Sequence, residues 1–281
     1  MKTALVLSGG GSLGAIQVGM LRALAESGFR PDMVVGASVG AINAAYFAWS
    51  PDMRGVEGLE GIWRNIRRST VFPWLPLRGL AAALSLASSF SSPKNLRKML
   101  EENLKYENLE DTAVPCHAVA TNIANGELVL LSSGNAIDAL IASASVPGMF
   151  PTVDYEGMKL TDGSVGSNTP ISVAVELGAE KVVVLPAGFS CMTKEPPRGA
   201  FGTISNALNH IITRQLMHEI HLYRDKVSLH VAPALCPLAV NSGDFSQMEH
   251  LRSSGYHAAV GWIDAGGITS VLPSNLHPHN L

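Results

Sequence analysis

The sequence predicts an α/β fold built on a mainly parallel sheet, and three observations carry that reading. The chain opens with an apolar run at Thr3–Leu7, a glycine-rich turn, a segment of helical spacing and a second apolar run after Pro31-Asp32. Strand, loop, helix, strand is a βαβ unit, which calls for a parallel strand pair and a right-handed crossover. Short runs such as 33–35 and Lys181–Leu185 are apolar without alternation, as expected of strands covered on both faces. Of the 281 residues, 47% are apolar and only 15% charged, a balance that suits buried strands beneath helices on both sides. At this length a sizeable core can form, and one domain over 1–281 is expected.

After the turn, residues 15–27 place Ile16, Met20, Ala23 and Leu24 on one helical face, and Gly28 is the natural C-cap. The second strand leads into a helix, 39–48, that is apolar nearly all round, with only Asn43 and Tyr46 as polar exceptions. Residues 54–68 read as a surface helix carrying Leu59, Ile62 and Trp63. From 71 to 92 the only charge is Arg78, and Pro73, Pro76 and Gly79 interrupt the apolar spacing, which predicts a cover with one short helix at about 80–87. Residues 95–104 form a charged helix, and 115–121 with 127–131 form a hairpin turning through Ala124-Asn125-Gly126. A small-residue helix at 136–146 precedes Pro147-Gly148, and a short strand at 159–161 runs into Asp162-Gly163. Thr169 caps and Pro170 opens a helix to about Leu177. Lys181–Leu185 suits a central strand, 200–226 a long amphipathic helix and 227–231 a last strand. A final helix at 245–264 is expected to bury Met248, Leu251, Gly255, Ala258 and Trp262, ahead of a loose tail at 270–281.

Bulk properties exclude several functions. A net charge of -3 with no basic run leaves no electrostatic footprint for nucleic acid. Cys116, Cys191 and Cys236 are odd in number and lack C-x-x-C spacing, so neither a disulfide framework nor a metal site is expected, and reduced thiols in a cytoplasmic protein are. Lys2 ahead of an apolar run imitates a signal peptide, but the glycines that follow make it a buried strand entering a loop. No stretch offers the roughly 20 uninterrupted apolar residues of a membrane span.

The candidate chemistry centres on Gly36-Ala37-Ser38-Val39-Gly40, where a strand turns sharply into a helix. This reads as a nucleophile elbow. Glycines two residues either side of the serine remove the Cβ atoms that would collide in so tight a turn, and the hydroxyl is left above a helix N-terminus. Upstream, Gly9-x-Gly11-x-x-Gly14 has dinucleotide-fingerprint spacing but lacks the acidic residue that should close the second strand, because Asp32 opens that strand. The loop suits an oxyanion nest instead, formed by amides of Gly9, Gly10, Gly11 and Ser12. Both loops leave the C-terminal ends of neighbouring parallel strands, so nest and serine share one sheet edge. The candidate base is Asp162, at a strand end with Gly163 beside it. A Ser-His-Asp triad through His210, His218, His221 or His230 has the right chain order, but all four read as helix-surface or core residues.

Together the segments Gly9 to Gly14, Gly36 to Gly40, Asp162-Gly163-Ser164 with Asn168 and Pro170, and Ala142 to Pro151 resemble the patatin-like phospholipases in the right order over about residues 3–190. The resemblance implies a three-layer α/β/α fold and a Ser-Asp dyad that hydrolyses acyl esters of lipids without metal or cofactor. Ser38 matches its nucleophile, Asp162 its proton acceptor, and Gly9 to Ser12 its oxyanion loop, with Gly14, Gly36, Gly40 and Gly163 in support. Two positions depart: Leu13 stands where the family usually has Arg or Lys, and Ser164 where it usually has Gly or Ala. The implied partner is a lipid or acyl ester, with transient contact at a membrane surface. An acyltransferase on the same site and a non-catalytic lipid-binding protein are the alternatives.

Overall fold

The computed structural model describes residues 1–71, 89–188, 199–236, 238, 240–270 and 272. Eight strands form one sheet: β1 (Thr3–Leu7), β2 (Met33–Ala37), β3 (Cys116–Asn122), β4 (Leu128–Leu131), β5 (Val153–Tyr155), β6 (Met158–Asp162), β7 (Lys181–Leu185) and β8 (Ser228–Val231). The order is β5-β6-β3-β2-β1-β7-β8, with β4 pairing separately to β3. The run β3-β2-β1-β7-β8 is parallel, and β4, β5 and β6 join antiparallel.

The helices are α1 (Gly14–Glu26), α2 (Val39–Trp49), α3 (Met53–Asn65), α4 (Arg68–Val71), α5 (Lys94–Asn103), α6 (Ala136–Ser143), α7 (Ile171–Glu176), α8 (Gly199–Tyr223) and α9 (Met248–Asp264). Alternation along β1 divides them into two layers. Leu5 and Leu7 face the core made with α1, α2, α3, α5, α6 and α9. Ala4 and Val6 face a second core made with Ile171, Val173 and Ala174 of α7 and Leu216 and Ile220 of α8. The architecture is therefore a three-layer α/β/α sandwich.

The register of β3 matters most for the site. Residues 118–121 pair with β4, while Val119 pairs with Ala37 of β2 and Ala120 with Asp162 of β6. Because β4 overlaps both partners, β2 and β6 must share the opposite edge of β3. The end of β2 and the end of β6 thus lie at consecutive positions along one strand, although 124 residues separate Ser38 from Asp162.

Several expectations are corrected. The helix predicted to 146 ends at Ser143, because the Ser145 carbonyl accepts from the Asp162 amide and the Thr161 hydroxyl, fixing the chain in a turn. Strand β5 was not expected; it pairs with β6 across Glu156 and Gly157, both at positive φ. On α9 Met248, Leu251 and Gly255 are buried as expected, but Ala259 replaces Ala258, which is half-buried, as is Trp262. Cys116 is a free buried thiol, but Cys236 is disulfide-bonded, so three reduced thiols is wrong and the cysteines no longer argue for a cytoplasmic setting. Cys191, residues 72–88 of the expected cover and nearly all of the tail lie outside the described residues. Just after 72–88, the Phe90 and Ser91 amides donate to the carbonyls of Gly148 and Met149. No described helix is long and apolar enough to cross a membrane.

Candidate active site

Ser38 stands between β2 and α2 at φ 55, ψ -126, a conformation that non-glycine residues adopt rarely and at a cost of about 1–3 kcal/mol. The surroundings hold it there. A Cβ on Gly36 would lie 2.5 Å from the Ala41 amide nitrogen, and one on Gly40 would strike the Leu7 carbonyl oxygen of β1. The elbow can therefore close only with glycine on both sides. Ser38 itself is 7% exposed, and its amide donates to Ser143 Oγ at 3.0 Å.

The Ser38 hydroxyl donates to Asp162 Oδ2 at 2.6 Å. The other carboxylate oxygen accepts from the Ser164 amide at 2.8 Å, and the Asp162 carbonyl accepts from Thr121 Oγ1 at 2.9 Å. Burial pushes the Asp162 carboxyl up to about 6, while hydrogen bonds from Ser38 and from the amide and side chain of Ser164 pull it down. At neutral pH it is therefore ionised, yet basic enough to take a proton. Ser164 contributes a hydroxyl contact that the usual Gly or Ala could not make. Gly163 is required by the same turn, since a Cβ there would strike the Val119 carbonyl.

The glycine loop lies directly over this pair. A Cβ on Gly9 would come within 3.2 Å of Ser38 Cβ and would collide with Ser164 Oγ and Asn168 Oδ1, so any side chain there would displace both. The Gly9 amide donates to the Asn168 carbonyl at 3.0 Å and the Ser12 amide to the Ser242 carbonyl at 2.8 Å. Among the described residues the Gly10 and Gly11 amides have no backbone partner outside helices and strands, so of the loop's amides these two are open to a bound group. Gly14 lets Val39 and the Trp63 ring close against α1, and Leu13 is buried, so no cation stands in its place.

The histidines lie elsewhere. His210, His218 and His221 are exposed on α8, and His230 is buried on β8, bonded to Ser228 Oγ and the Gly267 carbonyl. No described group of three or more His, Cys, Asp or Glu could hold a metal ion. Beside Ser38 a cavity of about 80 Å³ is lined by apolar side chains including Ile42, Trp63, Met99, Val146, Phe150 and Phe245. A larger polar cleft of about 840 Å³ lies between α3 and α5 and does not include Ser38. The supporting serines, Ser143 and Ser145, were not singled out from sequence, although both lie in the small-residue stretch after α6 begins; a serine at the end of an apolar helix is the available signal.

The patatin-like phospholipase family pattern matches residues 5–175. A patatin-like phospholipase domain-containing protein of Caenorhabditis elegans, ZK370.4, is 32% identical over 186 residues, covering 66% of this chain and 13% of its own length. Lysophospholipase NTE1 of Mycosarcoma maydis is 28% identical over 196 residues, covering 67% of this chain and 10% of that protein. The chain thus spans about an eighth or less of these curated relatives. The crystal structure of VipD from Legionella pneumophila superposes with a TM-score of 0.55 at 15% identity, covering 94% of this chain and 67% of that one, a likeness of fold. Over its elbow, glycine loop and Asp-Gly turn alike, the chain belongs to the patatin-like phospholipase family.

Proposed function

We propose that this chain hydrolyses ester-linked fatty acyl chains of lipids through a Ser38–Asp162 dyad. The observation that carries the reading is the 2.6 Å hydrogen bond from Ser38 Oγ to a buried carboxylate raised to about 6. Asp162 takes the hydroxyl proton as Ser38 Oγ attacks the acyl carbonyl, and the Gly10 and Gly11 amides receive the developing oxyanion. Collapse expels the alcohol, which leaves with the proton held on Asp162, and an acyl ester remains on Ser38. Water then repeats the sequence, giving the fatty acid and free serine. The cavity beside Ser38 is lined by apolar side chains and no charged group, which suits the acyl side of an ester better than its head group. A lysophospholipid is the first substrate to try, since the fungal relative is named a lysophospholipase.

The test is release of free fatty acid from a long-chain lysophospholipid by the purified chain, with Ser38→Ala as control. Release that disappears in the variant supports the reading. A folded wild-type chain that frees no fatty acid from any acyl ester contradicts it and favours a non-catalytic lipid-binding protein. Acyl transfer to an added alcohol in place of free acid would instead mark an acyltransferase on the same residues.

A further inference from the structure

Helix α8 is longer than the sheet it covers. Its 25 residues span about 37 Å, whereas the five residues of β7 span about 17 Å. Packing is confined to the C-terminal half, where Leu216 and Ile220 are buried against the sheet and Glu219 accepts from the amide and hydroxyl of Ser172. Gln215 Nε2 reaches the carbonyl of Val165, three residues past Asp162, so at Gln215 the helix is level with the edge onto which Ser38 opens. The chain enters α8 from the C-terminal end of β7 and runs back to the start of β8. Residues before 215 therefore stand out beyond that edge.

None of the described residues from 203 to 213 is buried. Ile204, Leu208 and Ile211 repeat at spacings of four and three on one face and are 59%, 53% and 54% exposed. Other exposed large apolar residues gather at the same edge: Ile123 and Leu128 at the β3–β4 turn, and Val146 and Val165 in the loops that carry Ser145 and Ser164. Val146 also lines the cavity beside Ser38, so the cavity adjoins this edge. Exposed apolar surface on this scale marks an interaction site. The charge on α8 decides the partner. Its one carboxylate, Glu219, is turned inward to Ser172, leaving Arg214 as the charged side chain on the exposed faces of the helix.

We propose that this edge docks on an anionic lipid bilayer, with Ile204, Leu208 and Ile211 entering the interface and Arg214 meeting the head groups. The proposal rests on the reading of Ser38 as a nucleophile for lipid esters, because docking sets the cavity mouth against the phase that holds the substrate.

Sedimentation of the full chain with phosphatidylcholine vesicles, with and without phosphatidylglycerol, tests it. Binding should be stronger with phosphatidylglycerol. The triple variant Ile204→Ser, Leu208→Ser, Ile211→Ser should lower the bound fraction about tenfold or more, with unchanged Tm and unchanged hydrolysis of a soluble short-chain ester. Arg214→Gln should weaken binding to the anionic vesicles about fivefold and leave binding to pure phosphatidylcholine unchanged. Wild-type indifference to both vesicles, or equal binding by the triple variant, overturns the proposal. So does a wild-type dimer that the triple variant converts to a monomer, which would make a second copy the occupant. Vesicle binding that depends on the three residues in a chain with no ester hydrolysis leaves docking standing and removes the catalytic reading alone.

Discussion

At the scale of single residues, Asp162 joins activity and stability with opposite signs. Its folded carboxyl titrates at about 6, above the ordinary value of about 3.9. Between those values the folded chain holds a proton that the unfolded chain has lost, so this residue's contribution to stability falls as pH rises from about 4 to 6 and is level above. At neutral pH the buried charge costs on the order of 3 kcal/mol. Hydrolysis runs the other way, since the base must be ionised: kcat/KM should fall about tenfold per pH unit below about 6. A pH–rate profile flat from 7 to 4 in a folded protein would remove Asp162 from the role of base. Gly9 makes a second residue-scale case, because its Cβ position is occupied by Ser164 Oγ and lies against Ser38 Cβ. Gly9→Ala should cut hydrolysis at least about a hundredfold while far-ultraviolet circular dichroism stays that of the wild type. Wild-type rates in that variant would show that the loop does not lie over the serine. These two positions were legible in the sequence because strained turns demand particular residues. The hydroxyl of Ser143 beneath the Ser38 amide was not, since only the packed fold brings it there.

At the scale of elements, α1 and α9 are pressed together backbone to backbone. A Cβ on Gly19 would strike the Arg252 carbonyl, and one on Gly255 the Ile16 carbonyl. Around that crossing the buried carboxylate of Glu60 is shared by Arg22 and Arg252. Gly255→Ala should destabilise by about 2 kcal/mol, lowering Tm by about 5 °C, whereas Gly261→Ala, with open space around it, should be close to neutral. Equal Tm values for the two variants would count against the tight crossing. The sequence showed that the last helix was amphipathic and that Gly255 lay on its inner face, but not that the crossing demanded glycine, because the obstructing carbonyls come from an element more than 200 residues away. The same limit explains the shift from Ala258 to Ala259: helical periodicity fixes a face to within one residue, and the contact with α1 fixes the rest. Strand β5 escaped notice because three residues carry too little pattern.

At the scale of the whole molecule, the fold assembles the site by register. Parallel β1 and β2 send the glycine loop and the elbow out of one edge, and β3 carries β2 and β6 end to end, so Ser38 and Asp162 meet without help from the C-terminal third of the chain. That third supplies β8, α8 and α9, and the described histidines of α8 and β8 lie away from the dyad. Among the described residues no cluster has the makings of a metal site, so hydrolysis should be unchanged in EDTA; loss that calcium restores would contradict this. The chemistry proposed for this site is that of a serine nucleophile served by a carboxylate and not by histidine. Its most direct test is intact-mass measurement after treatment with an alkyl fluorophosphonate, with the adduct mapped by peptide digestion. One adduct on Ser38 is predicted in the wild type and in His230→Gln, and none in Ser38→Ala, with labelling slowed at least about a hundredfold in Asp162→Asn. An adduct elsewhere, or labelling that a folded histidine variant loses while Asp162→Asn retains it, would contradict the dyad.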